Sequence, residues 1–263
     1  MIRLIAIDLD DTLLGHDLSI SPANMEAIQA ARQLGVHVVI ATARGWHTAK
    51  DFYQACGLDG YTVCGSGTKI FNSDGTCIKT WSIPLARAKE LLTYATEQNV
   101  MVYTAVAYKN LLNLVYPGSE YKIRPVVDEV VPGLHEVLDV APTQLFLKGE
   151  REVNTMLQAV SADCKDYRYQ VLLYRDGIPE MMIVHPEASK ATGLAWVCEK
   201  LGIKSEEVLA LGDSANDIPM LRWAGVGVAM GWAPQDVQEA ADHVTAPDDE
   251  DGCATTIRKY VLG

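Results

Sequence analysis

Hydrophobic positions along the chain switch between two periods. Residues 2–7 (IRLIAI) are a short, mostly apolar run that reads as a buried strand. LLGHDLSI is short and mixed, as for a small hairpin or flap. Ser21-Pro22 has the residues of an N-cap and first helical position. Met25, Ile28, Ala31 and Leu34 follow at helical spacing, and Gly35 stops the helix. VHVVIA (36–41) is a second buried strand, 46–56 a helix and YTVC a third strand. TKIFNSDGTCIKTW alternates on either side of Asn72-Ser73-Asp74-Gly75, a hairpin signal. The order strand, helix, strand, helix, strand implies a parallel sheet with helical crossovers.

The middle of the chain follows another pattern. Residues 84–99 read as a helix, and MVYTAVA and LLNLVY as antiparallel strands around YKN. TQLFLK is a strand and 150–160 a helix, and YQVLLYRDGIPEMMIVH is a hairpin turning at Arg175-Asp176-Gly177. Hairpins mixed with helices mark an α+β module over 83–184, inserted between two α/β stretches, 1–82 and 185–263. In the second stretch helices are expected over 188–201, 218–223 and 234–241, and from Asp251 onward. VLALG, VGVAM and HVTA are its strands. The acidic run Asp248-Asp249-Glu250-Asp251 reads as a solvated loop.

Charge narrows the partners. Asp and Glu number 34 against 22 Lys and Arg, a net charge of −12, which argues against nucleic acid or an anionic membrane as main partner. A small anionic substrate responds to the local field and stays open. Six scattered cysteines without a C-x-x-C pair argue against a zinc site and for reduced, mostly buried thiols. The first residues lack a signal-peptide pattern, and no run of 18 apolar residues occurs. A cytoplasmic protein is expected.

Two phosphate-loop look-alikes fail on spacing. Gly65-Ser66-Gly67-Thr68-Lys69 precedes a hairpin rather than a helix, and Gly225-Val226-Gly227 with Gly231 lacks the dinucleotide register. Both read as turn or close-packing glycines. Four other pieces fit together: Asp8-Leu9-Asp10-Asp11-Thr12 after the first strand, Thr42 and Arg44 after the second, Lys190 at a helix start, and Gly212-Asp213-Ser214-Ala215-Asn216-Asp217 after VLALG. Three of them lie just past strand C-termini, the edge where open parallel sheets bind ligands, and a helix start adds Lys190 and free N–H groups. Singly, each has a plainer reading as turn, cap or solvated lysine. Together they offer a cation site, a nucleophile candidate and two anion-holding groups. By strand alternation, Asp8 and Asp10 are expected to project to one side and Asp11 to point away as a turn residue.

These pieces, DLDDTLL, ATAR, the lysine of SK and GDSANDIPML, resemble in order the four motifs of the haloacid dehalogenase-like phosphatase superfamily. The inserted module and the tail ADHVTAPDDEDG resemble its Cof-type branch. The resemblance implies a Rossmann-like parallel-sheet core (1–82 and 185–263) with an inserted α+β cap domain (83–184). It implies Mg²⁺-dependent hydrolysis of a small phosphorylated metabolite, such as a sugar phosphate, through an aspartyl-phosphate. Asp8 would be the nucleophile and Asp10 the acid and base. Thr42 and Lys190 would hold the phosphoryl group, with Asn216 and Arg44 as further phosphate or substrate contacts. Asp8, the Asp10 carbonyl and Asp213 would hold the metal, with Asp217 supporting its water shell. The cap would close over the site and select the leaving group. His135, Arg124 and Lys122 are candidate contacts there, each more commonly a surface residue. The branch usually has ATGR and SKG where this chain has Ala43 and Ala191. A phosphomutase or phosphotransferase with the same motifs, and a non-catalytic phosphate-metabolite binding protein, remain alternatives.

Overall fold

The computed structural model describes residues 1–15, 17–107, 109–116, 127–173, 177–245 and 251–263. Lys122, Arg124, Arg175, Asp176 and residues 248–250 lie outside them. The chain divides into two compact units, Met1–Lys79 with Ala188–Gly263, and Thr80–Glu187.

In chain order the first unit starts with β1 (Leu4–Ile7), α1 (Pro22–Gln33), β2 (His37–Ile40), α2 (Trp46–Ala55), β3 (Thr62–Cys64), β4 (Lys69–Phe71) and β5 (Cys77–Thr80). The second unit contains α3 (Leu85–Glu97), β6 (Tyr103–Val106), β7 (Lys109–Leu112), β8 (Glu129–Val130), α4 (Leu134–Val137), β9 (Gln144–Lys148), α5 (Glu150–Met156), β10 (Arg168–Leu173) and β11 (Pro179–Val184). The first unit resumes with α6 (Lys190–Leu201), β12 (Val208–Gly212), α7 (Ile218–Trp223), β13 (Val226–Ala229), α8 (Gln235–Ala240), β14 (His243–Val244) and α9 (Gly252–Ile257). None of the described helices is long and apolar enough to cross a membrane.

The first unit is built on a parallel sheet of order β14-β13-β12-β1-β2. A parallel bridge from Ala41 to Val63 brings β3 alongside β2. β1 is buried along its whole length, which is why it lacks a polar face. Ile5, Ile7, Ile28, Ile40, Leu209 and Leu211 belong to one core cluster. The second unit carries a separate six-stranded sheet, β10-β11-β9-β6-β7-β8, antiparallel except for β7 with β8. Leu91, Leu92, Leu145, Leu147, Met181 and Ile183 form its core.

Local signals set most boundaries. Ser21 caps α1 by accepting from the Asn24 amide at 3.1 Å, and Gly35 leaves the helix at φ +80°. The helix expected over 150–160 stops at Met156, because the Gln158 and Ala159 amides bond to carbonyls three residues back. β8 and α4 had no sequence signal, being too short to show a period. Asp251 opens α9 and accepts the Ser21 hydroxyl.

Gly67 governs the packing next to α6. It sits at φ +93°, and a Cβ built there would lie 1.9 Å from the Ser189 carbonyl oxygen and 2.8 Å from the Lys190 nitrogen. Gly227 likewise faces the Leu221 carbonyl oxygen at 2.1 Å. Both are close-packing glycines, as their failed phosphate-loop spacing suggests. Gly67→Ala is expected to destabilise the protein by about 2 kcal/mol or more, from left-handed strain plus displaced backbone. Gly60→Ala, where a Cβ meets nothing within 4 Å, should stay within about 0.5 kcal/mol. Urea unfolding of both variants checks the contrast; equal stabilities would contradict it.

Candidate active site

Parallel pairing delivers the site residues to one edge. β1 and β12 are in register with Ile7 opposite Leu211, and β1 and β2 with Ile7 opposite Ile40. Asp8, Thr42 and Asp213 therefore follow strands that end together. Asp8 is tied in by its amide, which donates to the Leu211 carbonyl at 3.0 Å. Thr42 is fully buried, its amide on the Val63 carbonyl and its hydroxyl oxygen accepting from the Arg44 amide at 3.1 Å.

Lys190 is the first residue of α6, whose N-cap Ser189 accepts from the Thr192 amide at 3.0 Å. Its side chain is 1% exposed. The ammonium donates to Asp8 Oδ1 at 2.5 Å and to Asp217 Oδ1 at 2.6 Å. The plainer reading of Lys190 as a solvated lysine is therefore removed. The other oxygen of Asp217 accepts from the Asp213 amide at 3.1 Å, the Ser214 amide at 3.0 Å and the Ser214 hydroxyl at 3.1 Å. One buried carboxylate thus folds the loop after β12 and anchors the lysine. Asn216, also buried, accepts from the Ser214 hydroxyl at 2.9 Å.

The stretch after β1 departs from strand alternation. The strand ends at Ile7, and Leu9–Leu13 form a helical turn. Asp10 is extended within it and Asp11 left-handed, at φ +58°. The turn disposition expected of Asp11 holds; the reason expected for Asp8 and Asp10 does not. The Asp10 carboxylate lies on Arg44, with Nε to Oδ2 at 2.8 Å and Nη2 to Oδ1 at 2.5 Å. Arg44, expected as a phosphate contact, has its guanidinium on this carboxylate. His135, in α4, lies 3.7 Å through Nε2 from Glu136.

Thr12 was not singled out by its sequence. Its hydroxyl donates to Asp213 Oδ1 at 2.8 Å, and its carbonyl accepts from the buried Cys253 thiol at 3.3 Å. The available signal was the turn itself, which brings the fourth residue after Asp8 back to the same edge.

Among the described residues, Asp8, Asp213 and Asp217 form a buried cluster in which one carboxylate oxygen from each lies within 4.8 Å of the others. Three carboxylates face one ammonium, leaving two negative charges in excess. Burial, the largest cause, pushes the Asp8 carboxyl up to about 7, with Lys190 pulling down and Asp217 pushing up. Burial, then Asp8 and Asp217, push Asp213 up to about 9, against the Thr12 hydrogen bond. Burial opposes charge on Lys190, but Asp217 and Asp8 together raise its proton affinity. An all-oxygen, doubly negative, buried donor set fits a hard divalent cation. Asp8 and Asp213 can present oxygens to it, whereas Asp217 has both oxygens engaged.

Without a cation, the folded protein holds protons on Asp8 and Asp213 that the unfolded chain releases near the ordinary aspartate value of about 3.9. Their stabilising contribution is full below that value and is lost as pH rises through about 7 and about 9. In chelator, the melting temperature should fall from pH 5 to pH 9, and Asp213→Asn should flatten the fall. Added Mg²⁺ should raise the melting temperature most at the alkaline end. Calorimetry across pH checks this; an unchanged slope in Asp213→Asn speaks against it.

A sequence model of the haloacid dehalogenase-like hydrolase family matches residues 5–257. A 5-amino-6-(5-phospho-D-ribitylamino)uracil phosphatase of Bacillus subtilis is 31% identical over 99% of this chain and 96% of its own length. A pyridoxal phosphate phosphatase of Escherichia coli is 27% identical over 99% of each chain. A solved phosphatase of the haloalkanoate superfamily from Bacteroides thetaiotaomicron superposes with a TM-score of 0.82 at 26% identity, over 98% of this chain and 95% of that one. With the buried carboxylates and lysine at the sheet edge, these likenesses show that the chain is a phosphoric monoester hydrolase belonging to the haloacid dehalogenase-like hydrolase family.

Proposed function

We propose that this hydrolase acts on small phosphorylated metabolites through an aspartyl-phosphate on Asp8, with Mg²⁺ as cofactor. The observation that carries the reading is the placement of Asp8. It is buried at the end of the central strand, bonded to Lys190 and within the Asp213 and Asp217 cluster. A carboxylate nucleophile divides the transfer into two easier displacements. One Asp8 oxygen attacks phosphorus while the ester oxygen leaves, and Asp10 gives that oxygen its proton. Asp10 then takes a proton from the water that releases phosphate and restores Asp8.

Lys190 holds the nucleophile and, with Thr42, compensates charge on the phosphoryl oxygens. Asn216 is a further contact for that group. Mg²⁺ would be held by Asp8, Asp213 and the Asp10 carbonyl, with Asp217 behind its water shell. When bound, it supplies positive charge that offsets repulsion between a carboxylate and a phosphate dianion. Selection of the leaving group is assigned to the second unit, Thr80–Glu187. The named phosphatase relatives support a small phosphate ester as substrate.

Phosphate release from a panel of esters should require Mg²⁺, vanish in chelator and return on adding Mg²⁺. Asp8→Asn should lower the rate by at least about 1,000-fold, with the melting temperature measured alongside. An active Asp8→Asn protein overturns the nucleophile, and a fully active chelated protein overturns the metal. Transfer of the phosphoryl group to an added alcohol rather than to water would make the protein a transferase.

A further inference from the structure

Arg44 is fixed before it meets any ligand. Its amide donates to Thr42 Oγ1 at 3.1 Å, and its carbonyl accepts from the Gly65 amide at 2.9 Å. Its guanidinium carbon stands 4.9 Å from the centre of the Phe52 ring, within cation–π range. From this seat it engages both oxygens of Asp10 as a planar fork. The Asp10 side chain is 45% exposed and Arg44 21%. Asp10 sits in a turn, next to a left-handed residue, where backbone alone does not fix a carboxylate. Among the described residues, the Arg44 guanidinium is the group hydrogen-bonded to that carboxylate.

We propose that Arg44 is a positioning residue for Asp10: it holds the carboxyl group in the orientation for proton transfer and does not bind the phosphoryl group. The inference rests on the reading of Asp10 as proton carrier. In the first displacement an Asp8 oxygen bonds to phosphorus as the phosphorus–ester oxygen bond breaks. That oxygen keeps the bonding pair and takes the Asp10 proton, leaving as an alcohol. In the second, a water oxygen bonds to phosphorus, its proton passes to Asp10, and the phosphorus–Asp8 bond breaks with its electrons returning to the carboxylate. Both proton transfers need one Asp10 oxygen aimed at the oxygen in line with phosphorus, and a displacement of about 1 Å is enough to cost about 100-fold. The fork has the rigidity for this; a lysine ammonium has the charge without the fork.

Leaving-group dependence separates positioning from phosphate binding. An alkyl phosphate must be protonated as its alkoxide leaves, whereas p-nitrophenolate leaves without a proton. Arg44→Met should lower kcat/KM, which covers only the steps through the first displacement, by about 10- to 100-fold on an alkyl phosphate and much less on p-nitrophenyl phosphate; the second displacement, shared by both esters, enters kcat alone. Arg44→Lys should show the same asymmetry, more weakly, and guards against a folding defect in Arg44→Met; melting curves accompany both. Asp10→Asn is the reference, with a loss of kcat/KM of about 100-fold or more on the alkyl ester. An equal loss of kcat/KM on both esters in the Arg44 variants overturns the inference and makes Arg44 a phosphate contact. If Asp10→Asn itself lowers kcat/KM equally on both esters, the reading of Asp10 as proton donor fails, and the inference with it.

Discussion

The site depends on one buried ammonium. Lys190 is enclosed at the start of α6, and Asp8 and Asp217 both reach it. Neither an isolated lysine nor an isolated carboxylate tolerates such burial, so each is there because of the others. The three residues come from a central strand end, a loop after the neighbouring strand and a helix start. Their contact therefore ties those segments together. A cluster of this kind is a poor way to gain stability, since well-packed apolar residues would serve as well. Its presence makes sense under the proposed function, in which Asp8 is the nucleophile, Asp8 and Asp213 hold a cation and Lys190 holds an anion.

Charge is divided into two zones. The inner zone of Asp8, Asp213, Asp217 and Lys190 is buried and short of positive charge, so burial drives Asp8 and Asp213 toward their protonated forms. The outer zone is the Asp10–Arg44 pair, partly exposed and balanced within itself. Such a division suits two roles with opposite needs. A cation's ligands must stay close together, whereas a proton carrier must stay accessible and aimed. Asp217 shows how few residues this takes: one oxygen anchors the lysine and the other closes the loop that presents Asp213.

Much of this was legible in the residues. Periodicity located the parallel-sheet strands and the antiparallel pair of β10 and β11, since apolar runs of that length between turn signals have few other readings. The polar groups at strand ends pointed to one edge because parallel strands end together. What was not legible depended on partners distant in sequence. Asp8 and Asp10 two residues apart suggested strand alternation, but pairing ends at Ile7 and the chain turns. Thr12 has no role until Asp213, 201 residues away, comes beside it. Arg44 looked free to meet a phosphate because nothing local announces its pairing with Asp10.

The sequence by itself determined most element types, the parallel core with its inserted module, and most of the chemical groups brought to the sheet edge. These follow from local periodicity and from the rule that parallel strands present their C-terminal ends together. The tertiary structure decided how those groups are paired: Lys190 with Asp8 and Asp217, Arg44 with Asp10, Thr12 with Asp213. Pairing is a matter of distances between segments far apart in the chain, and burial makes those distances count, because charges removed from water respond to whichever neighbour packing puts beside them.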